Sequence, residues 1–183
     1  LVKQLTGREA KLVVDPTLLL SKADWEPYMK PLAKISTQYI LIYQLFPSQT
    51  VIDVALKIGK EKNLPVYNIC KRAYGMKKIV GINNILDAGP SEFLWLIANA
   101  TCMVTNSFHG TAFSIINEVP FYTLYLNDGA DGRSKELLNK LGLTERMVDK
   151  TASPQFTSIN YNLVNKKLNI LRSASQDFLK ASI

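Results

Sequence analysis

The sequence predicts an α/β domain: a mostly parallel sheet with helices on both faces. Three observations lead there. Apolar runs of strand length alternate with stripes at helical spacing, and the runs are too continuously apolar for strands with one wet face. The chain has 183 residues and is 47% hydrophobic, enough to bury one sizeable core, whereas two full domains would be cramped.

The elements follow in order. Lys11–Asp15 is a short apolar run closed by Asp15-Pro16, and Pro16 suits the first position of a helical turn through Leu18–Leu20. Gln38–Phe46 is rich in β-branched and aromatic residues and too continuously apolar for an edge, which predicts a central strand. Ser48 is a cap for a helix over Gln49–Asn63, where Val51, Ile52, Ala55, Leu56 and Ile58 form the apolar stripe. Leu64–Cys70 reads as a second buried strand, followed by the basic loop Lys71–Lys78 and a third apolar piece around Ile79–Ile82. Gly89-Pro90-Ser91-Glu92 is a helix entry, with Pro90 near the first position and Glu92 in the first turn. Thr101–Thr105 predicts a strand, Thr111–Glu118 a helix and Val119–Leu126 another strand. A Gly/Asp loop over Asn127–Gly132 leads to a helix over Arg133–Leu141 that Gly142 ends. From Asn160, apolar residues keep helical spacing for about twenty residues. The expected organisation is therefore a tail of an upstream segment over 1–10, the α/β domain over 11–158 and a terminal helix over 159–183.

The formal charge is +7, from 22 Lys and Arg against 15 Asp and Glu. These cations are spread over several helices and loops without interleaved aromatics, which argues against a nucleic-acid groove. Solvated helix faces and a weak peripheral attraction to an acidic membrane surface account for them. The two cysteines, Cys70 and Cys102, lie in apolar segments, so neither a disulfide framework nor a metal site is expected. No apolar run reaches the roughly 18 to 20 residues of a membrane span, and Leu1–Gln4 has no signal core. A cytoplasmic protein is the expectation.

In open α/β sheets, ligands bind beyond the carboxyl ends of the strands. That rule selects the segment after Phe46, the basic loop after Cys70, and the turn Asn106-Ser107-Phe108-His109-Gly110. The turn holds the only histidine in the chain. Gly110 offers close backbone approach, Thr111 a hydroxyl, and the following helix amides an anion site. His109 can serve there as a hydrogen-bond donor or a proton carrier, or it can simply cap and pack the turn. Arg133 opens a helix after a strand-end loop, where its planar fork suits a phosphate or carboxylate; a surface ion pair is the alternative. Glu92 is either a helix cap or a ligand contact, and Arg72 either an anion contact or a solvated loop residue. There is no Gly-Lys-Ser/Thr phosphate loop, no Gly-x-Gly-x-x-Gly turn and no Gly-x-Ser-x-Gly elbow, so nucleotide hydrolysis, dinucleotide chemistry and serine hydrolysis lose their usual support.

The stretches Gly89-Pro90-Ser91-Glu92-Phe93-Leu94-Trp95-Leu96-Ile97, Val104-Thr105-Asn106-Ser107-Phe108-His109-Gly110-Thr111-Ala112-Phe113 and Pro120-Phe121 resemble the polysaccharide pyruvyl transferase family. So do Arg133-Ser134 with Leu137-Leu138, and the entry Val14-Asp15-Pro16-Thr17-Leu18-Leu19. The resemblance corresponds to the C-terminal half of a full-length member. It implies a Rossmann-like three-layer domain, the second of two in a GT-B-type transferase, with 159–183 packing toward the missing N-terminal domain. It also implies phosphoenolpyruvate as donor substrate, no cofactor, and a sugar or lipid-linked oligosaccharide as acceptor, with the work done at the inner face of the membrane. His109 corresponds to the family's histidine before glycine, implicated in holding or protonating the donor. Asn106, Ser107, Gly110, Thr111 and Arg133 are then expected around the donor, and Glu92 and Arg72 at donor or acceptor. Many members carry Arg two residues before that histidine; here Ser107 stands there, and Arg133 is its candidate substitute. The remaining alternatives are a sugar-nucleotide-dependent glycosyltransferase of the same architecture and a non-catalytic glycan-binding module.

Overall fold

The computed structural model describes residues 2–33, 35–70, 79–125, 132–149, 151 and 153–182. Arg72 and the rest of the basic loop after residue 70 lie outside the described residues, as do residue 126 and 127–131 of the Gly/Asp loop.

A short helix α1 (Val2–Thr6) precedes an extended stretch, a 3-10 turn over Pro16–Leu19 and a short helix α2 (Lys22–Trp25). The alternating part follows as β1 (Ile40–Tyr43), α3 (Gln49–Lys62), β2 (Val66–Ile69), β3 (Ile82–Ile85), α4 (Pro90–Ala98), β4 (Cys102–Thr105), α5 (Phe108–Ile116), β5 (Phe121–Leu124), α6 (Gly132–Leu141), β6 (Met147–Val148) and α7 (Tyr161–Ala181). The strands form one sheet in the order β3-β2-β1-β4-β5-β6, and every pairing is parallel. This is the Rossmann-like order, with its reversal point between β1 and β4. The expected three-layer α/β architecture is what the chain adopts.

Strand alternation sorts the core into two layers. Ile40 and Ile42 of β1, Cys102 and Val104 of β4, and Tyr122 and Leu124 of β5 pack with Val51, Ala55 and Ile58 of α3. The opposite faces of the same strands, Leu41, Met103 and Phe121, pack against α4, α5, α6 and α7. Both faces of β1 are thus covered, which is why its sequence shows no polar alternation.

Local chemistry sets the helix ends. Ser48 Oγ accepts the Val51 amide at 3.4 Å to start α3, and Asn63 in the left-handed region (φ 53°) ends it. Pro90 stands at the first position of α4. The apolar piece around Ile79–Ile82 contributes its strand slightly later, at Ile82–Ile85, and the strand expected over Val119–Leu126 is confined to Phe121–Leu124. The apolar run Lys11–Asp15 joins no strand. Instead Val14 N donates to Ser175 Oγ of α7 at 3.0 Å, and Arg172 donates to the carbonyls of Leu18 (2.8 Å) and Leu20 (3.1 Å). The terminal helix is part of this domain's core through Val164 and Leu168, and its hydrogen bonds fix the segment that carries Asp15.

Candidate functional site

The carboxyl ends of β1, β4 and β5 lie in register, with Tyr43 opposite Thr105 and Thr105 opposite Thr123. Thr105 Oγ1 donates to the Tyr43 carbonyl at 2.5 Å and accepts the Ser107 amide at 3.0 Å, which turns the chain sharply out of the sheet. Asn106 Oδ1 accepts the Leu45 amide (2.9 Å) while its Nδ2 donates to the Phe46 carbonyl (2.8 Å), tying this turn to the one after β1.

Ser107 is the N-cap of α5, its Oγ accepting the Gly110 amide at 3.4 Å. The helix therefore starts at Phe108, three residues before the expected Thr111. Gly110 lies inside the first turn, where a Cβ would collide with Thr105 Oγ1 and come within 2.9 Å of Met103 Cε. Its missing side chain serves helix-to-sheet packing. Thr111 is fully buried; its hydroxyl donates to the Ser107 carbonyl (3.1 Å) and pairs with Thr123 Oγ1 (2.6 Å). Asn106, Ser107, Gly110 and Thr111, all expected around the donor, thus frame the turn, and the Thr111 hydroxyl expected to line an anion seat is turned into the core.

What this frame presents outward is Phe108 and His109. The His109 side chain is 48% exposed. Four amides at a helix start lack intrahelical partners. Here Thr105 takes that of Ser107 and Ser107 takes that of Gly110. Those of Phe108 and His109 have no partner among the described residues.

Arg133, from the start of α6, lays its guanidinium 3.9 Å over the Phe108 ring. Its Nη2 donates to Asp15 Oδ2 at 2.5 Å, and His109 Nε2 stands 3.9 Å from the same oxygen. Asp15 joins this group from 118 residues away in sequence, and its carboxylate is only 12% exposed. Thr17 holds its other oxygen through its amide (3.1 Å) and hydroxyl (2.7 Å). Burial raises the Asp15 pKa, but the Thr17 hydrogen bonds and the charges of His109 and Arg133 outweigh it and hold the carboxyl below its usual range. Asp15 stays ionised, binds Arg133 directly and stands beside His109 at the rim. Sequence reasoning placed Asp15 only at a turn. Its Asp-Pro-Thr pattern signals a capped turn, and nothing in the spacing brings it to His109.

Glu92 takes the plainer of its two expected roles. It accepts the Gly89 amide at 3.1 Å and pairs with Lys30 at 3.6 Å, closing the first turn of α4. Among the described residues no group of three or more His, Cys, Asp or Glu side chains is placed to hold a metal ion. Nor is any helix among them long and apolar enough to cross a membrane.

A doubly wound sheet with an imidazole and a guanidinium at its carboxyl rim defines a Rossmann-like domain with a capped strand-end turn. Residues 2–128 match the family described as polysaccharide pyruvyl transferase, and the chain belongs to that family. No curated protein gives a significant match. Among solved structures, a UDP-GlcNAc 2-epimerase from Methanocaldococcus jannaschii in complex with UDP-GlcNAc and UDP is similar at 14% identity and a TM-score of 0.44. That match covers 86% of this chain and 42% of the epimerase. An O-GlcNAc transferase mutant from Thermobaculum terrenum is similar at 14% identity and a TM-score of 0.44, over 93% of this chain and 40% of that one. The E. coli ADP-heptose LPS heptosyltransferase II is similar at 13% identity and a TM-score of 0.39, over 91% of this chain and 54% of the other. The chain spans about half or less of the length of these structures.

Proposed function

We propose that this domain works in the transfer of a pyruvyl group from phosphoenolpyruvate to two hydroxyls of a sugar in a cell-surface polysaccharide or glycolipid. The observation that carries the reading is His109 standing exposed at the carboxyl rim of β4, with Asp15, Arg133 and the amides of Phe108 and His109, unpartnered among the described residues, around it, in a chain of the pyruvyl transferase family.

Phosphoenolpyruvate has two anionic groups and a nucleophilic methylene. Arg133 engages Asp15 through Nη2, and the remainder of its fork, held flat by Phe108, suits a carboxylate or phosphate. The helix amides of Phe108 and His109 suit the second anionic group. Protonated His109 gives its proton to the methylene carbon, leaving a cationic centre at the phosphate-bearing carbon. A sugar hydroxyl attacks that centre and loses its proton. The carbon–oxygen bond to phosphate then breaks, phosphate leaving with the electron pair, and the second hydroxyl closes the cyclic ketal. One of the two hydroxyl protons restores the imidazole and the other departs to phosphate or solvent. Fixed charges aimed at the developing anion and cation supply the electrostatic part of the rate.

The whole enzyme in this reading has a facing N-terminal domain that completes the cleft. It works in the cytoplasm at the inner face of the membrane, where lipid-linked acceptors lie. The test is phosphate release from phosphoenolpyruvate by the whole protein with a lipid-linked acceptor preparation. His109→Ala lowers turnover about 100- to 10,000-fold, the range of a lost general acid. Turnover within a few-fold of the parent defeats the assignment. Binding of uridine or guanosine diphosphate sugars in place of phosphoenolpyruvate would favour the glycosyltransferase alternative.

A further inference from the structure

Asp15 supplies the negative charge beside Arg133 and His109, yet it belongs to an extended segment that joins no strand of the sheet. Leu18, 1% exposed, sinks the 3-10 turn after Asp15 into the core. Apolar burial is non-directional, so it sets the depth of this turn but not its register along α7. Hydrogen bonds are directional and set the register.

Three side chains of α7 make those bonds. Ser175, 4% exposed, donates its hydroxyl back to the Leu171 carbonyl at 2.8 Å, and its Oγ accepts the Val14 amide at 3.0 Å. Arg172 uses each nitrogen of its guanidinium. Nε donates to the Leu18 carbonyl at 2.8 Å, Nη2 to that of Leu20 at 3.1 Å and Nη1 to Asn169 Oδ1 at 2.7 Å. Gln176 Nε2 donates to the Leu19 carbonyl at 3.3 Å. Arg172 is three residues before Ser175 and four before Gln176, so one face of α7 grips the main chain on both sides of Asp15. Within the turn Thr17 takes Asp15 Oδ1, and Oδ2 faces Arg133 and His109. A displacement of this main chain therefore passes straight to the oxygen that binds Arg133. α7 lies beyond the residues 2–128 that match the family, so the match assigns it no part in the site.

We infer that Arg172 and Ser175 are positioning residues: through the backbone of 14–20 they set where Asp15 holds Arg133, and so where the remainder of the Arg133 fork points. They act through Asp15 and not on the donor. On the pyruvyl-transfer reading, on which the kinetic part of this inference rests, that fork receives an anionic group of phosphoenolpyruvate. Misplacing such a group by about 1 Å costs up to about 100-fold in turnover.

The test uses the isotopically labelled whole protein without substrate. The Nε–Hε resonance of Arg133 reports its pairing with Asp15, and Asp15→Asn marks where that resonance lies once the ion pair is removed. Arg172→Met and Ser175→Ala are each expected to move it toward that mark, and neither is expected to move it further in the Asp15→Asn background. In turnover of phosphoenolpyruvate, Arg172→Met is expected to lower kcat about tenfold alone and to stay within about twofold when added to Asp15→Asn, because residues acting in series do not add. A purely structural role for α7 lowers the urea midpoint and leaves the resonance in place. A resonance at its parent position in both variants, or an equal displacement with and without the Asp15 carboxylate, overturns the inference. Should Arg172→Met fail to fold, Ser175→Ala, which removes a single hydroxyl, decides on the same readout. Resonance shifts as expected, in a protein that releases no phosphate from phosphoenolpyruvate, uphold the positioning and remove the pyruvyl-transfer reading instead.

Discussion

Replacing Gly110 by alanine tests whether the turn after β4 is a packed frame. A Cβ at this position meets Thr105 Oγ1 and stands 2.9 Å from Met103 Cε. The methionine end can shift, but Thr105 Oγ1 is held between the Tyr43 carbonyl at 2.5 Å and the Ser107 amide at 3.0 Å. If Thr105 stays, α5 must lift off the sheet, an overpacking cost of about 1–3 kcal/mol. If it rotates, one or both hydrogen bonds are lost at about 1 kcal/mol each. The better helix propensity of alanine returns up to about 1 kcal/mol. The net expectation is a loss of about 1–3 kcal/mol, which lowers Tm by roughly 2–4 °C per kcal/mol in a domain of this size. Urea unfolding of Gly110→Ala, Thr105→Ala and the double variant measures it, and the double variant should cost less than the sum by about 1 kcal/mol or more, because removing Oγ1 relieves the collision. A Gly110→Ala protein as stable as its parent, with no coupling to Thr105, would show that the close approach is not what glycine provides here.

Thr111→Val breaks the buried hydroxyl pair with Thr123 and is expected to destabilise the domain by about 1–3 kcal/mol, while the folded protein keeps its phosphoenolpyruvate affinity; calorimetric titration beside a urea melt checks both. Asp15→Asn removes the charge shared by Arg133 and His109 and is expected to lower turnover about tenfold or more with the fold intact, read as kcat from phosphate release. Because the folded-state pKa of Asp15 is lowered, its ionisation adds stability that is fully present above the ordinary carboxylate value of about 4 and is lost as pH falls through the lower folded value. The stability gap between the parent and Asp15→Asn should therefore be constant near neutrality and close in strong acid, as urea melts across pH would show.

Much of the fold was legible because its determinants are local. The continuous apolar run around Ile40–Tyr43 announced a strand covered on both faces, and Ser48 and Pro90 announced helix starts through their own backbone chemistry. The turn after β4 was located correctly, but its internal logic was not. In sequence Gly110 reads as a place for a ligand to approach the backbone and Thr111 as a helix start, whereas Gly110 packs closely on Thr105 as a helical residue and the helix starts at Phe108. The two-residue strand β6 carries too few side chains to show a period. Asp15 was invisible as a site residue because its partners are set by the docking of the 11–20 segment on α7, a tertiary event with no local signature.

The most direct measurement is a titration of phosphoenolpyruvate into the isotopically labelled whole protein, following the main-chain amide resonances of Phe108 and His109. Those two signals should move first and saturate together, with the Arg133 side chain responding at the same donor concentration. If they stay still while resonances elsewhere report binding, the anion is received at another place and the rim of β4 is not the donor site.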